Sequence, residues 1–329
     1  MIKRPAVLLV TLSCAALSLL PLPVAAQAYP SKPVRIIMAS SAGGPLDITL
    51  RGASDALRQE MGQPVIIENQ GAADGIIAAQ AFARAAPDGY TLLESSAGPI
   101  TLNPAIYPKL PYDPQADFTP VVMWAQFNSV IVANAGVAAG TLRELLALAK
   151  AKPGSLAFGS AGSASTSNMY AEWLRHAQKI DFYNVPYKSN PQALQAVVAG
   201  EVQATVFAAG AAMAQQKAGK TKVLALIADK RSPSYPDMPT VGEQGVDLVI
   251  RNWYGLFSKA GTPNDIVERW NRSVSKVTAD TAFQEKVLFA QGMERAAPSG
   301  ESPESFAQFL RRDRQLYERL KTETRIKLD

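Results

Sequence analysis

Two chemically versatile residues are nearly missing from this 329-residue chain, which has one histidine, His176, and one cysteine, Cys14. A single imidazole cannot build a His-rich metal site. Cys14 falls in a stretch expected to be removed, so a Cys nucleophile and disulfides are lost with it. A Ser–His–Asp triad would have to use His176. That residue stands in AEWLRHAQK at the end of a helical pattern, where a solvated imidazole beside a helix C-terminus is the simplest reading. No G-x-S-x-G elbow accompanies it, and no P-loop lysine motif occurs, which argues against a hydrolase or a nucleotidase. Nothing in the pattern calls for a cofactor.

Charge is also scarce. Charged residues make up 19% of the chain against 47% hydrophobic ones, and the formal net charge is +5. Lys3 and Arg4 belong to the leader, so the remainder carries about +3, too little for a nucleic-acid footprint. No block of like charge forms a tail or membrane patch. Past the leader, no apolar run is long enough to span a bilayer. There is no internal repeat and no low-complexity segment.

The first 28 residues read as a secretory signal peptide. A basic start (Lys3, Arg4) precedes an apolar run from Ala6 to Leu20, Pro21 and Pro23 break it, and Ala26-Gln27-Ala28 offers a small-residue cleavage site. Thr11 stands where a lipobox wants an aliphatic residue before Cys14, so cleavage after Ala28 is expected rather than lipidation. The expected compartment is the periplasm. About 300 residues then remain, more than one core comfortably holds.

Apolar runs alternate with helical patterns, which predicts an α/β fold. Strands are expected at 34–38, 65–68, 90–93, 121–123, 130–133, 156–158, 182–185, 204–207, 223–227 and 254–258. A helix is expected from Asp47 to Met61, stopped by Gly62, and another from Thr141 to Lys150 with a capping box of Thr141 and Glu144. Long C-terminal helices are expected at 263–279 and 303–320, each with Pro at the first position.

The turns between these elements carry the chemistry. After the first strand comes the turn Ser40, Ser41, Ala42, Gly43, Gly44, whose N–H groups at a helix N-terminus suit an anion. Asp47 there would repel one; its expected role is to complement the helix dipole and pair with Arg51. A second such turn, GSAGSASTSN, supplies Ser160, Gly162, Ser163, Ser165, Thr166, Ser167 and Asn168 before another helix, with N-capping by Ser as the plainer alternative. Ser95, Ser96 and Gly98 stand at the C-terminal end of the third strand, the expected ligand edge of an α/β sheet. Tyr187 and Lys188 precede a helix, and Lys188 is the one candidate cleft cation, though a solvated lysine is as good a reading. FAAG, with Ala209, would complete the rim.

The segments YPSKPVRII, SAGGPLD, GQPVIIENQGAADG, APDGYTLL, LPYDPQADFTPV, VPYKSNPQALQAVVAG and RSPSYPDMPTVGEQG, in this order, resemble the tripartite tricarboxylate transporter receptors, or Bug proteins. The resemblance covers nearly everything from residue 29. It implies a periplasmic-binding-protein-like (type II) Venus flytrap of two α/β lobes, 29–126 plus 253–329 and 127–252. The implied ligand is an organic carboxylate held between the lobes, partly by the Ser-rich loop at 159–168. The implied partner is a membrane permease, with a sensor kinase as the alternative, and a monomer is expected. The chain departs from the family pattern at Ser40, where a Phe is usual, at Asn168, where His is common, and at Gln203, where Asp is usual. These departures suggest a larger or aromatic ligand rather than a citrate-like acid.

Overall fold

The structure is a computed structural model that describes residues 29–324 except 163, 164, 233 and 296. The expected leader with Cys14, and Ser163, lie outside the described residues. The chain opens with β1 (Val34–Met38), α1 (Pro45–Met61), β2 (Val65–Asn69), α2 (Ile76–Ala83) and β3 (Thr91–Ser96). Two four-residue helices, α3 (Asn103–Ile106) and α4 (Pro114–Asp117), lead into β4 (Phe118–Phe127). One residue later β5 (Ser129–Asn134) starts a second unit: α5 (Leu142–Ala151), β6 (Ala157–Ser160), α6 (Thr166–Ala177), β7 (Tyr183–Pro186), α7 (Asn190–Ala199), β8 (Ala204–Ala208), α8 (Ala209–Lys217) and β9 (Thr221–Ile227). The chain returns through β10 (Asn252–Lys259) to α9 (Asn264–Ala279), α10 (Thr281–Phe283), β11 (Met293–Glu294) and α11 (Pro303–Thr324).

These strands form two sheets, ordered β11-β4-β10-β3-β1-β2 and β7-β6-β8-β5-β9. In the first, β1 pairs parallel with β2 and β3, while the returning β10 lies antiparallel between β3 and β4. In the second, β6 is parallel to β7 and β8, and β5 is antiparallel to β8 and β9. The fold is therefore two-lobed α/β, each lobe built on its own sheet. The chain crosses at Asn128, between β4 and β5, and again where it enters β10.

The expected elements are present, with shifts that have physical causes. Helix α1 begins two residues early because Pro45 suits the first helical position. Leu46, Leu50, Ala53, Leu57 and Met61 form its buried stripe, and Gly62 ends it at φ 75°, a left-handed conformation that costs glycine little. Strand β3 runs through Glu94, Ser95 and Ser96 instead of ending at Leu93, because β10 and β1 pair with it on both sides. Strand β4 is ten residues long where 121–123 was expected; Pro120 is tolerated beside a register shift in its pairing with β10. At α5, Thr141 Oγ1 accepts the Glu144 N–H at 3.1 Å, while Glu144 Oε2 accepts from Gly140 rather than from the cap residue itself.

One face of the first sheet, with Ile36 and Trp124, is covered by Leu57 of α1, Trp270 of α9 and Leu288 of the helical segment Gln284–Leu288. The other face belongs to an apolar cluster that continues through Trp253 and Phe306 to Tyr317 on α11, then to Tyr170 on α6 and Ile131 on β5. Helix α11 thus packs against both lobes. Its Asp313 accepts hydrogen bonds from Thr101 Oγ1 (2.7 Å) and Trp253 Nε1 (3.0 Å), and burial pushes its carboxyl up to about 6 against those bonds. Glu323 accepts from Trp173 Nε1 on α6 at 3.0 Å. Truncating a buried aromatic such as Trp253 in this cluster would cost about 3–5 kcal/mol.

Candidate functional site

Between the two sheets lies a cavity of about 790 Å³. The first lobe contributes Pro45, Phe127, Tyr254, Phe289, Gly292 and Met293 to its wall, and the second contributes Ser129, Thr166, Ser167, Asn190, Phe207 and Gly210. Four helices begin at this wall: α1 with Pro45, α6 with Thr166, α7 with Asn190 and α8 just before Gly210. The first N–H groups of a helix have no intrahelical partner, and its N-terminus carries partial positive charge. No Lys, Arg, His, Asp or Glu lines the cavity among the described residues. An anion held here would therefore be held by dipoles and hydroxyls.

The α6 and α7 termini are tied together. Ser165 caps α6, its Oγ accepting the Asn168 N–H at 3.1 Å and donating to the Gly162 carbonyl at 2.9 Å. The Ser167 hydroxyl accepts the Ala161 N–H at 3.0 Å and donates to Asn190 Oδ1 at 3.2 Å. Thus the Ser-rich loop is both a capped loop and a cavity wall.

The remaining candidates fall elsewhere. Ser41, Ala42 and Gly43 are exposed, and only Pro45 of this region reaches the cavity. The Gly43 N–H donates to Asp47 Oδ2 at 2.9 Å, so one donor of the proposed cradle is occupied by the chain itself. Asp47 also accepts from Asn69 at 2.9 Å and pairs with Arg51 at 2.9 Å, as its position on the helix suggested. Burial raises its carboxyl, but these hydrogen bonds and Arg51 outweigh burial and lower it. Gly44 is the half-buried N-cap of α1, and the half-buried Ser40 lies against Gly71, where any side chain would overlap the Ser40–Ser41 backbone.

Ser95 and Ser160 are buried, and neither hydroxyl has a hydrogen-bond partner among the described residues. Ser96 and Gly98 are half-buried and outside the cavity wall. Asn168 accepts a hydrogen bond from Asn184 within its own lobe. Tyr187 packs beside Val197 and Val202, and Lys188 is exposed and absent from the wall. Ala209 is fully buried, its N–H donating to the Asn128 carbonyl at 2.8 Å, while its neighbours Ala208 and Gly210 face the cavity. Gln203, just before β8, accepts the Ala157 N–H of β6 at 2.7 Å through its side-chain oxygen.

Sequence reasoning missed the aromatic wall and Glu94. Glu94 is fully buried on β3 with no hydrogen-bond partner on either oxygen among the described residues. Burial pushes its carboxyl well above the ordinary range, and the Trp124 indole nearby pulls it only partly back. Burial, with Glu94 nearby, also pushes the Tyr254 hydroxyl up. The signal for Glu94 was a lone charge in the strand TLLESS. Phe127 ends β4 and Tyr254 stands near the start of β10, positions that become recognisable only once the lobes are placed. Phe289 carries no motif at all.

Two α/β lobes joined by crossing strands, with a cavity between them, define the periplasmic binding protein class. A family model described as tripartite tricarboxylate transporter family receptor matches residues 49–321, and the chain belongs to that family. A UPF0065 protein from the gbd 5' region of Cupriavidus necator is 34% identical over 83% of each chain. Protein BugT of Bordetella pertussis is 30% identical over 93% of each. Among solved structures, MatC from Rhodopseudomonas palustris with bound malate is 30% identical, covering 89% of this chain and 99% of that one, with a TM-score of 0.75. R. palustris Rpa4515 with adipate is 26% identical over 91% and 99%, with a TM-score of 0.80. The periplasmic binding protein BugD is 27% identical over 91% and 99%, with a TM-score of 0.76. Family members are periplasmic solute-binding receptors.

Proposed function

We propose that this chain is a periplasmic receptor that captures an organic carboxylate between its two lobes and presents it to a membrane permease. The observation that carries this reading is the convergence of α1, α6, α7 and α8 on one cavity whose wall, among the described residues, has no charged side chain. Such termini favour a carboxylate through N–H groups and dipoles alone. The relatives that hold malate and adipate support the ligand class. The Ser-rich loop supplies first-turn N–H groups from Thr166 and Ser167, and Pro45 brings the opposing helix end from the first lobe.

In this reading no bond is made or broken. The ligand contacts both lobes only when they are closed, so binding shifts the population towards the closed form that the permease recognises. Thermal unfolding of the purified protein against di-, tri- and aromatic carboxylates tests it. A ligand at about 100-fold over its Kd contributes about 2.7 kcal/mol, a clear rise in Tm. Failure of every carboxylate to stabilise the protein would overturn it.

A further inference from the structure

The cavity wall is chemically divided. Its aliphatic hydroxyls (Ser129, Thr166, Ser167) and three of its four helix N-termini (α6, α7, α8) come from the second lobe, while Asn252 and Gln291 add amides from the side of the first. Across from the hydroxyls stand aromatic rings. Phe127 and Tyr254 are stacked with centroids 5.5 Å apart and planes at 29°, and Tyr254 stacks in turn on Trp124 at 6.1 Å. Phe127 ends this ladder at the cavity, and Phe207 lines it from the second lobe. Phe289 stands in the same wall and is 46% exposed, one of the few large apolar side chains so exposed among the described residues. The core does not account for that exposure.

We propose that the cleft selects an arylcarboxylate: one carboxylate at the α6 and α7 N-termini and a flat apolar body against Phe127, Tyr254, Phe207 and Phe289. This rests on the carboxylate reading above and narrows it. A cavity of about 790 Å³ has room for a drug-sized ligand. A second carboxylate turned towards the ring faces would lack a partner there, and its desolvation is costly. A flat ring system instead meets those faces in offset or edge-on contact.

Calorimetric titration of the purified protein with 2-naphthoate, benzoate, adipate, malate and 2-naphthamide tests the proposal. The arylcarboxylates are expected to bind at least about tenfold more tightly than adipate and malate. Phe289→Ala, at an exposed position, is expected to leave the Tm of the free protein unchanged and to weaken 2-naphthoate about tenfold. Adipate or malate binding as tightly as the arylcarboxylates would overturn the proposal and leave the carboxylate reading standing. So would an unchanged 2-naphthoate affinity in Phe289→Ala, or no arylcarboxylate binding at all. If 2-naphthamide binds as tightly as 2-naphthoate, the carboxylate reading itself falls, and the proposal with it.

Discussion

Asn252 and Ser129 join the two strands on which the lobes cross: the Asn252 carboxamide donates to the Ser129 hydroxyl at 2.8 Å. Ser129 opens β5 just after the first crossing, and Asn252 opens β10 at the second. Beside them the Asn128 carboxamide donates to Ser232 Oγ at 3.1 Å, and Ser232 donates to Glu294 Oε2 at 2.8 Å. The crossing is thus held by side-chain hydrogen bonds, which are individually weak. Ser129→Ala should lower stability by about 1 kcal/mol, the net worth of one hydrogen bond. Urea denaturation measures this, and an unchanged midpoint would show that the bond adds nothing.

Asp47 organises the first turn by accepting from Gly43, Asn69 and Arg51. Replacing it with Ala should cost about 1.5–3 kcal/mol, as expected for a charged hydrogen-bond acceptor with partners. Its carboxyl is lowered in the fold, so its contribution is present above the ordinary value of 3.8 and is lost as pH falls. Asp47→Asn should therefore flatten the acid limb of a stability–pH curve. An unaltered acid limb would contradict this role.

Glu94 works in the opposite direction. Its carboxyl is raised by burial, so the folded state holds a proton that the unfolded chain releases above the ordinary value of 4.5. Stability tied to this group is complete below 4.5 and declines as pH rises towards the raised value. Glu94→Gln, which keeps the shape without the charge, should gain stability over the parent progressively as pH increases from about 4.5 to 8. Chemical denaturation at several pH values reads the difference, and a constant difference would contradict the assignment.

Lys188 is exposed and outside the cavity wall. If helix termini rather than a cation hold the carboxylate, Lys188→Ala should change ligand affinity by no more than about twofold, the scale of a screened surface charge. A tenfold loss in a calorimetric titration would place the lysine in the site.

The core was legible in the sequence where period and punctuation agree. Strand β1 at Val34–Met38 and the end of α9 at Ala279 fall where expected, because buried runs and caps are local signals. The boundaries of β3 and β4 were not legible, since cross-strand pairing extends them through Glu94, Ser95 and Pro120 against local preference. At the cavity, Thr166 and Ser167 were readable from a Ser-rich turn before a helix. Phe127, Tyr254 and Phe289 were not, and Phe207 was readable only as the first residue of FAAG. The four rings come from four separated elements, and only the tertiary arrangement brings them together. Ala209 shows the converse: its motif is correctly placed at a helix start, yet one residue of phase buries it and turns Gly210 to the cavity instead.

The central claim is that a carboxylate binds in the cavity between the lobes. Ala211 lies in that cavity's wall and is exposed on α8, so a larger side chain there obstructs the cavity without entering the core. The most direct measurement titrates the most stabilising carboxylate into the parent protein and into Ala211→Trp, each at matched fold stability. The account predicts one ligand per chain for the parent and at least about tenfold weaker binding for Ala211→Trp, about 1.4 kcal/mol. Equal affinity in the two proteins would place the ligand elsewhere and contradict it.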